Sequence, residues 1–182
     1  MKIALVGEAP NDTLSIKYLL EKRYKTFNFF SMLKIINGSS LDSQKTKRLL
    51  RIEFQIEKPD LVIFIRDLDS TLPNKSKLYE RKNYFSSSLR VVNKKGIPLL
   101  NIYEIEALIL TDVENFNSIY GTDLKEIPNV MEIPEPKEFL KNASKKYSES
   151  QNSEIFKTID FDKVLKCLYF ERFINNFEKK IR

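Results

Sequence analysis

The chain has 182 residues, of which 42% are hydrophobic and 31% are charged. These ordinary values exclude a disordered or collagen-like chain, and no segment reaches the roughly 18 consecutive apolar residues that a membrane span needs. The formal net charge is +6, from 31 Lys and Arg against 25 Asp and Glu, which is compatible with a polyanionic partner but does not identify one.

Two residue types are scarce, and their scarcity limits the possible chemistry. The chain has no histidine and a single cysteine, Cys167. This excludes a disulfide within the chain, a Cys-rich zinc site and a Ser-His or Cys-His nucleophile pair. The chain starts with Met1 and Lys2 and then a short apolar run, not a signal-peptide segment, so the sequence predicts a cytoplasmic protein with no membrane partner.

Short apolar strands alternate with helical segments over the first hundred residues. This alternation predicts right-handed crossovers and an α/β, three-layer, Rossmann-like fold, with a parallel sheet of about four strands flanked by helices. In the second helix, Leu49, Ile52 and Ile56 recur at helical spacing, and Pro59 is expected to end the helix. In chain order, the predicted elements are a strand over 2–7, a helix over 11–23, a strand over 27–36, a helix over 41–58, a strand over 60–66, a helix over 73–95 and a strand over 99–103.

The remaining residues predict a helical C-terminal part within a single domain over 1–182, with a core of about 1–122 and an elaboration of about 123–182. An apolar and aromatic stripe in the last segment is typical of a helix that packs against the core. The polar, Ser- and Lys-rich segment 144–158 is expected to be a mobile loop. The other predicted elements are helices over 104–110, 113–120 and 161–182 and an extended connection over 127–136.

Acidic side chains follow three of the predicted strands. Glu8 comes after the first strand, with Asp12 four residues on; Asp67-Leu68-Asp69 follows the third; Glu104-Ile105-Glu106 follows the fourth. Because parallel strands end at one edge of a sheet, these acids are expected to converge there. Residues two apart after a strand are expected to face one side, so Asp67 and Asp69 can face one cation.

Several carboxylates packed closely together repel one another unless a divalent cation neutralises them. The pattern therefore indicates a Mg²⁺ or Mn²⁺ site with oxygen ligands, of the kind that activates water against a phosphodiester. A purely structural interpretation remains open. In that interpretation Asp69 caps the next helix, and Glu8 forms an ion pair with Arg66.

The order of two motifs resembles the TOPRIM domain of topoisomerases, bacterial primases, small maturation ribonucleases and overcoming-lysogenization-defect nucleases. Those motifs are VGEAPND at 6–12 and RDLDS at 66–70. The resemblance implies that Glu8 is the catalytic Glu, that Asp12 is the second acid of its turn, and that Asp67 and Asp69 are the metal-binding pair. Ala9 and Pro10 depart from the family pattern, because a Gly normally follows the catalytic Glu and lets the backbone approach substrate.

A second resemblance covers nearly the whole chain. The segment YEIEALILTDVE at 103–114 is similar to H-E-F-E-A-L-L-F-S-D-P-E in a bacterial TOPRIM-like family of unknown function, sometimes found near defence genes. The end of the chain, CLYFERFINNFEKKI, is a looser match to the same family. The family's usual His is Tyr103 here.

These resemblances imply a Mg²⁺- or Mn²⁺-dependent nuclease, or nuclease-like effector, that acts on DNA or RNA, with anti-phage defence as a candidate role. Glu8, Asp67, Asp69 and Glu106 would be catalytic and hold the metal together with Glu104, and Asp12 would support them. Arg66, Lys75 and Lys77 would contact substrate, with Arg81 and Lys82 on the same predicted helix as the last two. The expected partner is nucleic acid, with a homodimer or a protein from a neighbouring gene as further candidates.

Two other functions stay open at the level of sequence. One is a non-catalytic TOPRIM-like scaffold or sensor in a defence complex, which the Ala9-Pro10 turn favours. The other is a receiver-like phosphoacceptor domain, because KPDLVIFI is similar to the third strand of response-regulator receivers. In a receiver, however, the phosphorylated Asp would stand at Ile65.

Overall fold

In a computed structural model of the chain, which describes residues 1–34, 40–72 and 74–182, four parallel strands form one sheet. The strand order is β2-β1-β3-β4, and every neighbouring pair is parallel. The predicted α/β architecture with about four parallel strands is confirmed. The strands are β1 (Lys2–Val6), β2 (Asn28–Ser31), β3 (Leu61–Asp67) and β4 (Gly96–Asn101).

Helices follow each strand and continue to the end of the chain. Short 3₁₀ turns occupy 110–112, 130–132 and 149–151. The helices are α1 (Pro10–Arg23), α2 (Gln44–Glu57), α3 (Lys75–Val91), α4 (Glu106–Ile109), α5 (Val113–Tyr120), α6 (Pro136–Ala143), α7 (Asn152–Thr158), α8 (Phe161–Val164) and α9 (Leu168–Ile181).

Alternate residues of the strands enter two separate hydrophobic clusters, one on each face of the sheet. Leu5 and Ile63 belong to the cluster that contains α1 and the C-terminal helices. Val6 and Phe64 belong to the cluster that contains α2 and α3. Because a strand buried on both faces reads as a continuous apolar run, LVIFI in β3 is explained by this three-layer arrangement.

α1 begins earlier than the sequence suggests. Its N-cap is Ala9, with Pro10 at the first helical position and Asp12 at the third. Pro lacks the backbone N–H that would be unsatisfied there, so it suits this position. Ala9 has no side-chain acceptor, but its own N–H donates to Oδ2 of Asp12 at 3.0 Å. The Ala9-Pro10 pair therefore starts a helix.

Two of the three apolar residues at helical spacing in α2 are exposed. Leu50 and Phe54 are buried, whereas Ile52 is 52% and Ile56 70% exposed. The helix has two possible apolar stripes, and packing against the neighbouring strands selects the one that carries the aromatic ring. Pro59 follows the C-cap of the helix, as expected.

The prediction of a mobile loop over 144–158 is wrong. A 3₁₀ turn and α7 occupy 149–158, and Ile155 and Phe156 are almost fully buried. α7 packs along α1. The exposed residues of α7 are polar. One buried apolar stripe is enough to dock a short helix, so the overall composition of the segment can remain polar.

Two other predicted elements differ from the structure. The helix predicted over 161–182 is divided into α8 and α9 by residues 165–167, and the connection over 127–136 contains a 3₁₀ turn at 130–132. The predicted ends of β2 at Ile36 and of α3 at Pro73 lie outside the described residues. Of the helices within the described parts of the chain, none combines the length and the apolar composition that crossing a bilayer requires.

Candidate functional site

The carboxyl edge of the sheet brings acids from separate parts of the chain together. Glu8 follows β1, Asp12 lies in the first turn of α1, Asp67 ends β3, and Glu106 begins α4. The register pairs Asp67 with Asn101 at the end of β4. We refer to Glu8, Asp12, Asp67 and Glu106 as the acidic cluster.

Within the acidic cluster, Asp67 has a raised pKa and a hydrogen bond to its side chain. Its Oδ1 accepts a hydrogen bond from Nδ2 of Asn101 at 2.9 Å. Burial raises the pKa of Asp67 well above its usual value, and the charges of Asp12, Glu8 and Glu106 raise it further, against the opposing effect of Asn101. Oδ1 of Asn101 is buried and has no hydrogen-bond partner among the described residues.

Asp12 shares this electrostatic environment. Burial, together with the charges of Glu106 and Glu8, raises the pKa of Asp12 to about 7, although the backbone N–H of Ala9 and the charge of Lys137 act in the opposite direction. The carboxyl groups are therefore close enough to disfavour one another's ionisation. Such an arrangement is electrostatically strained when no cation is bound.

Glu106 is held from the C-terminal part of the chain. Its side chain is only 3% exposed, and its Oε1 accepts a hydrogen bond from Nδ2 of Asn152 at 2.8 Å. The hydroxyl of Tyr147 donates in turn to Oδ1 of Asn152 at 2.8 Å. Burial raises the pKa of Glu106, against the hydrogen bond from Asn152.

Glu8 contacts the end of β3 and a buried cation. Its Oε1 lies 2.7 Å from Nε of Arg66 and accepts from the backbone N–H of Asp67 at 3.2 Å. Arg66 is 4% exposed, its guanidinium lies over the ring of Tyr84 at 4.6 Å, and its Nη1 is 3.6 Å from Oδ2 of Asp42. The ion pair foreseen by the structural interpretation is present, and Arg66 is buried rather than open to a substrate phosphate.

The side chains of Asp67 and Asp69 have different partners. Asp69 has a left-handed backbone with φ of 53°, and its Oδ2 lies 2.6 Å from Nη2 of Arg81. Nε of Arg81 donates to the backbone carbonyl of Asp67 at 2.6 Å, so Arg81 clamps the turn. Asp69 does not cap α3, because the N-cap side chain is Asn74, which accepts from the N–H of Lys77.

Glu104 faces α6. Its Oε1 lies 3.1 Å from Nζ of Lys137, and its Oε2 accepts from the backbone N–H of the same residue at 3.2 Å. Nζ of Lys137 also lies 3.4 Å from Glu149. Burial alone would lower the pKa of Lys137, but the hydrogen bond and charge of Glu104 and the charge of Glu106 raise it. Glu104 therefore joins α6 to the site by way of Lys137.

The donor atoms of the acidic cluster suit a hard divalent cation, because all are oxygens and their charges repel one another. The side chains are not gathered into a finished site, since within residues 1–34, 40–72 and 74–182 no three Asp, Glu or Cys are arranged to hold a metal ion. The donor chemistry fits Mg²⁺ or Mn²⁺, and binding requires movement of side chains.

Basic residues lie in the first turns of two helices that begin at this edge of the sheet. Lys75 is exposed and Lys77 half-buried in the first turn of α3, and Lys45 and Lys47 lie in the first turn of α2. Neither first turn contains an acid. This departs from the usual preference for acids at helix N-termini and adds to the positive potential of the helix ends.

Sequence reasoning missed the side chains that hold the acids in place. Asn101 had a usable signal, because it stands at the end of a strand beside Asp67. The sequence indicates Arg81 only as a candidate phosphate contact, and nothing local marks its role in the turn. Tyr147 and Asn152 carried no signal, because they lie in the segment expected to be a loop.

Ile65, which stands where a receiver would carry its phosphorylated Asp, is buried in β3.

Comparison of the chain with protein-family models, curated proteins and solved structures yields no significant match.

Proposed function

We propose that the protein is a Mg²⁺- or Mn²⁺-dependent phosphodiester hydrolase, a nuclease or nuclease-like effector that acts on DNA or RNA. The observation that carries the proposal is the acidic cluster itself. Four carboxyl groups from β1, α1, β3 and α4 meet at the carboxyl edge of a parallel sheet, where burial and mutual repulsion raise the pKa of Asp12 and Asp67.

Within this proposal Asp67, Glu106 and Asp12 hold the cation, and Glu8 is a ligand or the base that takes a proton from water. A bound cation would polarise the phosphoryl oxygen and lower the pKa of its water. Asn101 and Asn152 each donate to one carboxylate oxygen, of Asp67 and Glu106 respectively. Asp69 would enter the site only by leaving Arg81, so its contribution is expected to be smaller than that of Asp67.

Nucleic acid is the proposed substrate because its charge complements the surroundings of the cluster. Lys45, Lys47, Lys75 and Lys77 lie in the first turns of α2 and α3, at the edge where the acids converge. Their charges and the helix ends attract phosphate, while a cation in the cluster neutralises the acids. Arg66 is not among these phosphate contacts, because it is buried and pairs with Glu8.

The test is cleavage of single- and double-stranded DNA and RNA in Mg²⁺, in Mn²⁺ and in chelator. Asp67→Asn keeps an oxygen for the hydrogen bond from Asn101 but removes a charge, so cleavage is expected to fall by about 100-fold or more. Asp69→Asn is expected to lose less. Asp123→Asn, at a side chain that is 87% exposed, is the matched control. Equal cleavage by wild type and Asp67→Asn would contradict the proposal.

One observation favours a second function, a non-catalytic scaffold or sensor. Glu8, the proposed base, is already paired with the buried Arg66. In this alternative any cation is structural, and the Ala9-Pro10 turn serves only to start α1. A protein that binds Mn²⁺ and is stabilised by it, yet cleaves no member of the substrate panel, would support the alternative over the nuclease.

A further inference from the structure

The side chain of Glu106 has a buried polar environment that its own part of the chain does not provide. Glu106 is the first residue of α4, a helix of four residues, and has no cationic partner within hydrogen-bonding distance among the described residues. Its hydrogen-bond donor is Asn152, at the start of α7 and 46 positions later in the chain. The position of Glu106 therefore depends on a helix from the C-terminal part.

Asn152 is itself fixed by a second buried group. The residue is 2% exposed, and its Oδ1 accepts from the hydroxyl of Tyr147, which is 5% exposed. Because a carboxylate only accepts, Nδ2 of Asn152 is directed at Oε1 of Glu106, and Oδ1 of Asn152 is left to accept from the Tyr147 hydroxyl. The two hydrogen bonds run in the same direction: Tyr147 donates to Asn152, and Asn152 donates to Glu106.

The backbone that carries these two donors is anchored near the other acids. Asn11, next to Asp12 in α1, donates from Nδ2 to the carbonyl of Glu149, and its Oδ1 accepts from the N–H of Ser153. Segment 147–153 is therefore hydrogen-bonded to α1, the helix that carries Asp12. Its hydrogen bonds fix the location of Asn152 relative to α1 as well as to α4.

We propose that Asn152 and Tyr147 are positioning residues that orient Glu106 toward the acidic cluster and so set the affinity of the site for a divalent cation. Asn152 occupies Oε1 of Glu106 and leaves Oε2 as the ligand oxygen. Tyr147 acts one step further away, by holding the amide in the orientation that donates. This inference rests on the proposed function, because it concerns the cation that the cluster would bind.

The experiment is titration of the metal-free, full-length protein with Mn²⁺ by calorimetry, without any substrate. Asn152→Leu has a similar volume and no donor, and is expected to raise the Kd for Mn²⁺ by about 10- to 100-fold. Tyr147→Phe removes only one hydroxyl and is expected to raise the Kd by about 3- to 10-fold. Because Tyr147→Phe is the milder change, it keeps the test available if Asn152→Leu does not fold.

The chain offers a matched control in Tyr120→Phe. Tyr120 belongs to the same aromatic group, 5.9 Å from Tyr147 between ring centroids, and its hydroxyl donates to Gln151 rather than to Asn152. This variant also loses one hydroxyl and one hydrogen bond on the same segment. Its Kd for Mn²⁺ is expected to match that of wild type.

A double-variant comparison separates positioning from a general effect on folding. If Asn152 acts through Glu106, then adding Asn152→Leu to Glu106→Gln should weaken Mn²⁺ binding no further. Unchanged affinity in Tyr147→Phe and Asn152→Leu, or equal losses in Tyr147→Phe and Tyr120→Phe, would overturn the inference and leave the proposed function standing. Absence of Mn²⁺ binding by wild type overturns both. Binding without cleavage overturns only the nuclease.

Discussion

At the scale of single residues, the acids of this protein fall into two groups with opposite electrostatics. Asp12 and Asp67 are half-buried among other carboxyl groups, and their pKa values are raised. Asp112 is buried, but its partners are donors, and its pKa is lowered. Ionisation of Asp12 and Asp67 therefore destabilises the folded protein, whereas ionisation of Asp112 stabilises it.

Asp12→Asn is therefore expected to stabilise the metal-free protein. The amide keeps an oxygen for the N–H of Ala9 and removes a charge that burial, Glu106 and Glu8 disfavour. In chelator at pH 8 the free energy of unfolding should rise by about 1–2 kcal/mol, measured by urea denaturation.

The control for this substitution is Asp123→Asn, an exposed acid paired with Lys125, where the change should stay under about 0.5 kcal/mol. A loss of stability in Asp12→Asn would show that Asp12 has a favourable partner in the fold. The same loss would remove one support for the metal proposal.

Asp112→Asn should have the opposite effect. Burial would raise the pKa of Asp112, but hydrogen bonds from Lys163 and from the backbone N–H groups of Asp160 and Asn115 lower it below 3.8. An Asn there leaves a donor facing a donor, so at pH 7 the free energy of unfolding should fall by about 2–4 kcal/mol.

The pH dependence of that difference follows from the sign of the shift. A lowered folded-state pKa contributes stability that is complete above the unfolded-state value and is lost as pH falls through the folded-state value. Unfolding curves of wild type and Asp112→Asn should therefore differ most near neutral pH and draw together below pH 3.8. A difference that stays constant down to the acid transition would assign the effect to packing alone.

At the scale of elements, α7 shows that a few buried side chains can dock a largely polar segment onto the core. Phe156 is fully buried in the cluster that contains α1 and the C-terminal helices. Phe156→Ala is expected to lower the free energy of unfolding by about 3–5 kcal/mol. Denaturant unfolding followed by circular dichroism provides the measurement.

Ile56→Ala in α2 serves as the comparison, because that side chain is apolar and 70% exposed. Its effect should be below about 0.5 kcal/mol. If Phe156→Ala were as mild as Ile56→Ala, α7 would not be docked, and segment 144–158 would behave as the loop that its composition suggests.

At the scale of the whole molecule, the sequence predicts what depends on local pattern. The apolar runs of β1 and β3, the alternation with helices and the placement of Glu8 and Asp67 at strand ends are all local features. They are enough to derive a parallel sheet with acids at its carboxyl edge, because the topology brings those ends together.

The features that the sequence does not predict are choices among partners. Asp69 pairs with Arg81 and Glu104 with Lys137, and the sequence indicates neither pair. The pair of Glu8 with Arg66 is one that the sequence offers as an alternative to a metal site. Each choice is decided by the packing of helices that no local pattern orients, as the exposed Ile56 of α2 also shows. Partner choice is a tertiary property, so it separates acids that look equivalent in the sequence.

The link between Glu106 and Asn152 has a consequence for the order in which the protein matures on the ribosome. The β-strands lie within the first 101 residues and pair through crossovers between neighbouring parts of the chain. Tyr147 and Asn152 are synthesised after every strand and after Glu106 itself. Since folding can begin during synthesis, a nascent chain can complete its sheet before it has oriented Glu106. The proposed cation site would then be assembled only after residues 147–152 have been synthesised, so products truncated before them would be left without it.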